Sequence, residues 1–213
     1  MQEDRGRHEA QEKLIARLCA YLKERFGCRT AILYGSRARG DWDDASDIDV
    51  IAFSETSETG HVAHRWEGLF LDLFLYPPDV QPDLDWLRIH EGQVLFQCGN
   101  EGEVTLKAVA EMYSAGPAPL PPSEAQTQRL WLEKMLARAE KGGPEGDYRR
   151  HWLLQTLPEI YFALNRLWYL GPKRSLAFLQ QNKPDHFEAL RRAFAPGATI
   201  ADIRAAVAVV NGT

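Results

Sequence analysis

Apolar positions along this chain follow two rhythms, a helical one at both ends and a strand-like one between them. Leu14, Ile15, Leu18, Tyr21, Leu22 and Phe26 recur with a helical repeat inside His8 to Phe26, and Gly27 stands in the helix-stop position, so an amphipathic helix is predicted there. Ala31 to Tyr34 then reads as a short buried strand running straight into Gly35-Ser36. Asp41 to Ser46 is a polar loop, Ile48 to Phe53 the next strand, and Ser54 to Gly68 a polar loop or hairpin. Leu69 to Tyr76 alternates cleanly and stops at Pro77-Pro78, which cannot continue a central strand. A short helix is predicted around Pro82 to Leu87, a fourth strand over Val94 to Cys98, and a helix over Val104 to Tyr113.

Ser114 to Pro122 holds four prolines in nine residues, which favours a stiff, extended segment over helix or sheet. The domain boundary is expected there, with residues 1–113 on one side of a linker at 114–122 and 123–213 on the other. Every periodic segment beyond it is helical: Ser123 to Glu140, Asp147 to Leu170, Ser175 to Gln181, Asp185 to Phe194 and Ile200 to Val210. Pro158 lies inside the second of these and is expected to kink or split it.

At 213 residues the chain can hold one medium domain or two small ones, and 45% hydrophobic with 26% charged residues is ordinary for a soluble globular protein. Cys19, Cys28 and Cys98 are odd in number and widely spaced, so neither a disulfide framework nor a zinc motif is suggested, and a reducing cytoplasm fits. The charged, polar start argues against a signal peptide, and no apolar stretch reaches the length of a membrane span. Net charge is −5, yet the halves differ: residues 1–122 carry 12 Lys/Arg against 21 Asp/Glu, and residues 123–213 carry 13 against 9.

The chemistry concentrates between residues 35 and 72. Side chains at i and i+2 of a strand project from one face, so Asp47 and Asp49 are expected to point together, away from Ile48 and Val50. Such a pair suits a divalent cation that takes carboxylate oxygen, water and substrate phosphate. Asp72 shares its face with Phe70 and Phe74, where a lone charge is costly unless a cation or hydrogen bonds compensate it. Gly35 lets backbone approach a ligand closely, Ser36 adds a hydroxyl at a helical start suited to phosphate, and Arg37 and Arg39 bring positive charge. The plainer reading of either arginine is a solvated surface residue.

Gly35-Ser36-Arg37-Ala38-Arg39-Gly40, the ten residues that separate Ser36 from Asp47-Ile48-Asp49, and Asp72 on a later strand together resemble the DNA polymerase β type nucleotidyltransferase superfamily. The motifs span about residues 30–76. The resemblance implies an α+β fold, a nucleotidyltransferase domain with a mixed sheet flanked by helices, followed by an α-helical bundle. It implies that Gly35 and Ser36, with Arg37, Arg39 and Ser46, bind a nucleoside triphosphate, and that Asp47, Asp49 and Asp72 are the catalytic residues and carry two Mg²⁺, or Mn²⁺ in their place. Asp72 would also help deprotonate the hydroxyl that attacks the α-phosphorus and expels pyrophosphate.

Within that superfamily the chain is similar to small bacterial enzymes that modify aminoglycosides or lincosamides, and to minimal nucleotidyltransferases that act as antitoxins. Transfer of AMP from ATP to a hydroxylated small molecule is the first expectation. The alternative is an antitoxin-like protein whose task is binding a partner protein, with or without AMP transfer to it. Long nucleic acid is disfavoured as substrate by the acidity of the catalytic half, and no membrane partner is expected. A cleft shared in a homodimer remains open within this superfamily.

Several features have plainer readings. Asp41, Asp43 and Asp44 lack the glycine of an EF-hand loop and read as solvated carboxylates. His61 and His64, two histidines in a polar segment without a nearby cysteine, read as exposed side chains rather than metal ligands. Trp152, Tyr161, Trp168 and Tyr169 read as helical core. Glu159 could assist an acceptor hydroxyl or be an exposed helix glutamate. Lys173, beside Arg174 at a predicted helix start, is expected to be the cation that the basic half supplies to the triphosphate.

Overall fold

A computed structural model describes residues 2–55 and 60–212, with side chains from residue 6 onward. The backbone divides into two compact units, Met1–Ser114 and Ala115–Thr213.

The first unit is built on a five-stranded mixed sheet of order β3-β4-β2-β1-β5. Its strands are β1 (Cys28–Tyr34), β2 (Ile48–Ser54), β3 (Gly60–Trp66), β4 (Leu69–Tyr76) and β5 (Gln93–Phe96). β2 and β4 run parallel, and the other pairs are antiparallel. The single parallel pair follows from connectivity: the chain leaves β2, makes β3 at the edge, and turns back through Glu67 and Gly68, both at positive φ, into β4 between them.

Two apolar clusters sandwich this sheet. On one face the long helix α1 (Gln2–Phe26) lays Leu14, Leu18 and Leu22 against Ala31, Leu33, Ile48, Val50, Ala52, Leu71 and Leu73. These three leucines sit one helical turn apart, so they form a single stripe, and burying each contributes about 2 kcal/mol. The other face packs Ile32, Ile51 and Phe53 against Trp86 and Ile89 of a 3-10 helix (Leu84–Ile89) and against Val109 of α3 (Glu101–Ala115). Alternate residues of β2 therefore serve different layers.

The second unit is wholly helical among its described residues: α4 (Pro122–Ala139), α5 (Gly143–Leu164), α6 (Pro172–Asn182), α7 (Pro184–Phe194) and α8 (Ile200–Asn211). Leu132, Leu153, Leu157, Tyr161, Leu179, Leu190, Ile203 and Val207 form its core. Each of α4 to α7 starts with proline in its first turn, where the missing N–H is one the helix would not use. α8 starts instead with a capping box: Thr199 Oγ1 accepts from Asp202 N at 3.3 Å while Asp202 Oδ2 accepts from Thr199 N at 2.8 Å.

Of the two alternatives for Ser54 to Gly68, the hairpin forms: β3 pairs antiparallel with β4 through the turn at Glu67 and Gly68, and residues 56–59 lie outside the described part. Three expectations need correction. α5 continues unbroken through Pro158 rather than splitting there. It then ends at Leu164 instead of Leu170, with Asn165 capping and Arg166 at φ 56°. Trp152, read as core, is among the exposed large side chains, whereas Tyr161 is 1% exposed.

Candidate active site

β1 delivers the chain into the site through Gly35, whose φ of 73° is the left-handed region that side chains resist. A Cβ built there would overlap the Asp49 carboxylate, whose Cγ would lie 2.9 Å away. Glycine is therefore required twice, by backbone conformation and by the close approach of Asp49. The short helix α2 (Gly35–Arg39) follows and is closed by Gly40, whose N–H donates to the Ser36 carbonyl at 2.9 Å.

Asp49 is the second residue of β2 and stands opposite Tyr34 on β1 and opposite Asp72 on β4. Parallel neighbours in register project to the same face, about 4.8 Å apart at the backbone. The two carboxylates thus share one patch at the end of the sheet where α2 begins. Burial pushes the Asp49 carboxyl up to about 6, reinforced by the charges of Asp72 and then Asp47, against a weaker pull from Arg39 and Arg37. Asp47 precedes β2 and is exposed.

The other anticipated residues are occupied by structure. Arg37 is 6% exposed; its Nε and Nη2 donate to the Ser46 carbonyl at 3.1 and 2.8 Å, Nε also to the Asp47 carbonyl at 3.2 Å, and Nη1 to Gln11 Oε1 at 2.7 Å. It clamps the loop that carries Asp47. Burial lowers its affinity for a proton, opposed by Asp43, Asp44, Asp47 and Asp49. Arg39 pairs with Asp41 at 3.1 Å and lies 4.0 Å from Glu91. Ser46 Oγ donates to Asp43 Oδ1 at 3.1 Å and accepts from Asp43 N at 2.9 Å, closing the same loop. Lys173 lies in the first turn of α6, in the second unit. Glu159 is exposed on α5.

Three neighbours were missed by sequence reasoning. His61 sits on β3, its ring stacked on Phe74 with centroids 4.4 Å apart, and its Nε2 is hydrogen-bonded to Asp72 Oδ1. His61 is exposed as expected, but it stands on a strand instead of in a loop; His64, on the same strand, is half-buried and hydrogen-bonded through Nε2 to Tyr21 Oη at 3.0 Å. Arg88 of the 3-10 helix lies 4.4 Å over the Phe74 ring and donates from Nη2 to Tyr76 Oη at 3.2 Å, while its Nε is buried without a hydrogen-bond partner among the described residues. Tyr34 is held in its protonated form, chiefly by burial; Arg88 opposes that effect, and Asp49, Asp72 and Tyr76 add to it. The alternation of Val62, His64 and Trp66 ahead of Glu67-Gly68 was the signal that could have placed His61 on a strand.

A mixed sheet that brings a left-handed glycine turn and two register-paired carboxylates to one end is the architecture of a group-transfer site. Residues 15–92 match the family model for the nucleotidyltransferase domain. This part of the chain is a polymerase-β-like nucleotidyltransferase domain, and the protein is a nucleotidyl transferase. A nucleotidyltransferase-like protein from Exiguobacterium sibiricum, solved at 1.90 Å resolution, is similar at 14% identity, with a TM-score of 0.38 over 96% of this chain and 73% of that one. No curated protein matches.

Domains of this family work with divalent metal, and the residues fit one. The donors are all carboxylate oxygen, and the Asp49 carboxyl, raised first by burial and then by the charges of Asp72 and Asp47, is one whose ionised form a cation would stabilise. Among the described residues no three His, Cys, Asp or Glu side chains are gathered to hold an ion by themselves. Mg²⁺ ordinarily uses one or two carboxylates and completes its shell with water and substrate phosphate, so a ready-made cage is not what it needs.

No helix among the described residues is long and apolar enough to cross a membrane.

Proposed function

We propose that the protein transfers AMP from ATP to a hydroxyl of a small molecule, releasing pyrophosphate. The observation that carries this reading is the in-register pairing of Asp49 and Asp72 beside Gly35. Asp49 and Asp72, with Asp47 from the preceding loop, would hold Mg²⁺, which when bound neutralises phosphate charge and polarises the phosphorus.

The chain's own residues supply the rest. Gly35 and Ser36 present backbone and hydroxyl to the β and γ phosphates, with no Cβ in the way. Arg37 fixes the loop from Ser46 to Asp47 from behind, so its role is positioning. Asp72 takes the proton of the attacking hydroxyl, and His61, hydrogen-bonded to one of its oxygens, orients the other toward the acceptor. Arg39 and Arg37 offset part of the negative charge at Asp49, while Arg88 packs over Phe74 and donates to Tyr76.

Incubation of the protein with ATP labelled at the α-phosphate, Mg²⁺, a panel of hydroxylated cationic antibiotics and a cell lysate tests the proposal. The expected outcome is label on a small molecule and stoichiometric pyrophosphate. Label on a protein band alone would overturn the small-molecule reading in favour of the antitoxin-like one. No transfer under any condition would overturn the enzymatic reading and leave only an antitoxin-like protein that binds its partner without modifying it.

A further inference from the structure

The helical unit holds a cavity of about 610 Å³ that takes no part in the transfer chemistry described above. Pockets that bind drug-sized molecules run from about 300 to 1,000 Å³. Its walls come from α5, α6, Phe194 at the end of α7, and Tyr169 in the segment between α5 and α6.

Most of the lining is apolar: Leu154, Pro158, Leu176 and Phe194, with Pro158 buried and the other three half-buried. The polar part is biased toward acceptors. Glu159 brings a carboxylate to the rim, and it is the one formally charged residue of this lining among the described residues. Pro158 has no N–H, so the Leu154 carbonyl on the same wall lacks the donor that an unbroken helix would give it four residues on. Tyr169 stands close enough to Glu159 for the carboxylate to help hold the phenol protonated, an effect second to burial. Tyr169 and Phe194 both line the cavity, and aromatic rings attract cations over their faces.

We propose that this cavity binds a small amphipathic amine, with its hydrocarbon body against Leu176, Phe194 and Pro158 and its ammonium at Glu159 and the Leu154 carbonyl. An anion would meet Glu159 at the rim and is repelled. A fully apolar ligand would leave the acceptor wall facing hydrocarbon, which is unfavourable. An ammonium satisfies both acceptors with charge-assisted hydrogen bonds. The amine specificity arises in the half of the chain that is basic overall, so net charge does not foretell it. The inference does not rest on the proposed transfer reaction.

Isothermal titration of the full-length protein with 4-phenylbutylamine, and with the neutral 4-phenylbutanol as a matched probe, tests this. The amine is expected to bind at least about tenfold tighter than the alcohol. Glu159→Gln, an exposed substitution whose folding is checked by circular dichroism, is expected to bring the two probes within about twofold of each other. Asp72→Asn is expected to leave the amine's affinity unchanged, which separates this cavity from the carboxylates of the first unit. Equal binding of the two probes, no binding of either up to its solubility, a preference that survives Glu159→Gln, or one that vanishes with Asp72→Asn would each overturn the proposal.

Discussion

The two faces of the β2–β4 pair differ in what each asks of the same strands. Toward α1, Ile48, Val50, Ala52, Leu71, Leu73 and Leu75 make an uninterrupted hydrocarbon layer. Toward the 3-10 helix, Ile51, Phe53, Phe74 and Tyr76 begin such a layer, and Asp49 and Asp72 end it. One face is optimised for burial alone. The other accepts two repelling carboxylates, a glycine at positive φ and a partly buried arginine. Departures from core chemistry are confined to one face at one end of the sheet, which is where function would be sought on physical grounds alone.

The largest test of that contrast exchanges the character of the faces. Val50→Asp puts a charge into the hydrocarbon layer, where no partner awaits it, and is expected to lower stability by about 4 kcal/mol or more in urea unfolding. A well-folded variant would mean that the layer is not closed. On the other face, Gly35→Ala should fold but displace Asp49, and transfer should fall about a hundredfold because a small misplacement of reacting groups is costly. An active Gly35→Ala enzyme would show that the close approach to Asp49 is dispensable.

Asp49→Asn sharpens the comparison in the opposite direction, since it is expected to stabilise. The Asp49 carboxyl sits near 6 in the folded protein and near 4 when unfolded, so between those values the folded state holds a proton that the unfolded state has released. Stability contributed by this group is therefore present below about pH 4, is lost as pH rises toward 6, and stays lost above it. Allowing for solvent screening, Asp49→Asn should be more stable by about 1 kcal/mol at pH 7.5 and indistinguishable from wild type near pH 3.5. A variant less stable than wild type at pH 7.5 would contradict the assigned strain. The smallest effect is expected from His61→Ala, which frees one Asp72 oxygen and should slow transfer within about tenfold while leaving unfolding unchanged.

Much of this was legible in the chain because burial writes periodic patterns. Leu69 to Tyr76 was placed to the residue, since alternation and Pro77-Pro78 bound it on physical grounds. Ile48 and Val50 turned away from Asp49 as strand geometry requires. β3 was obscured because an edge strand with His61, Ala63 and Arg65 outward looks polar. The His61–Asp72 contact was out of reach for the same reason, since it depends on cross-strand register. Arg88 was hidden differently: it reaches Phe74 and Tyr76 of β4 from a short 3-10 helix that carries no long repeat. Arg37 resembled a phosphate ligand in sequence, and only its four hydrogen bonds reveal that it holds the loop. The early end of α5 came from Asn165 and Arg166, neither of them a strong breaker by type.

The central claim, that Asp72 beside Asp49 carries nucleotidyl transfer, is tested most directly by single-turnover transfer of α-labelled AMP in saturating Mg²⁺, with wild type and Asp72→Asn compared on one identified acceptor. The expected result is a rate reduced at least about a hundredfold with unchanged circular dichroism. A variant that transfers AMP at the wild-type rate would contradict it.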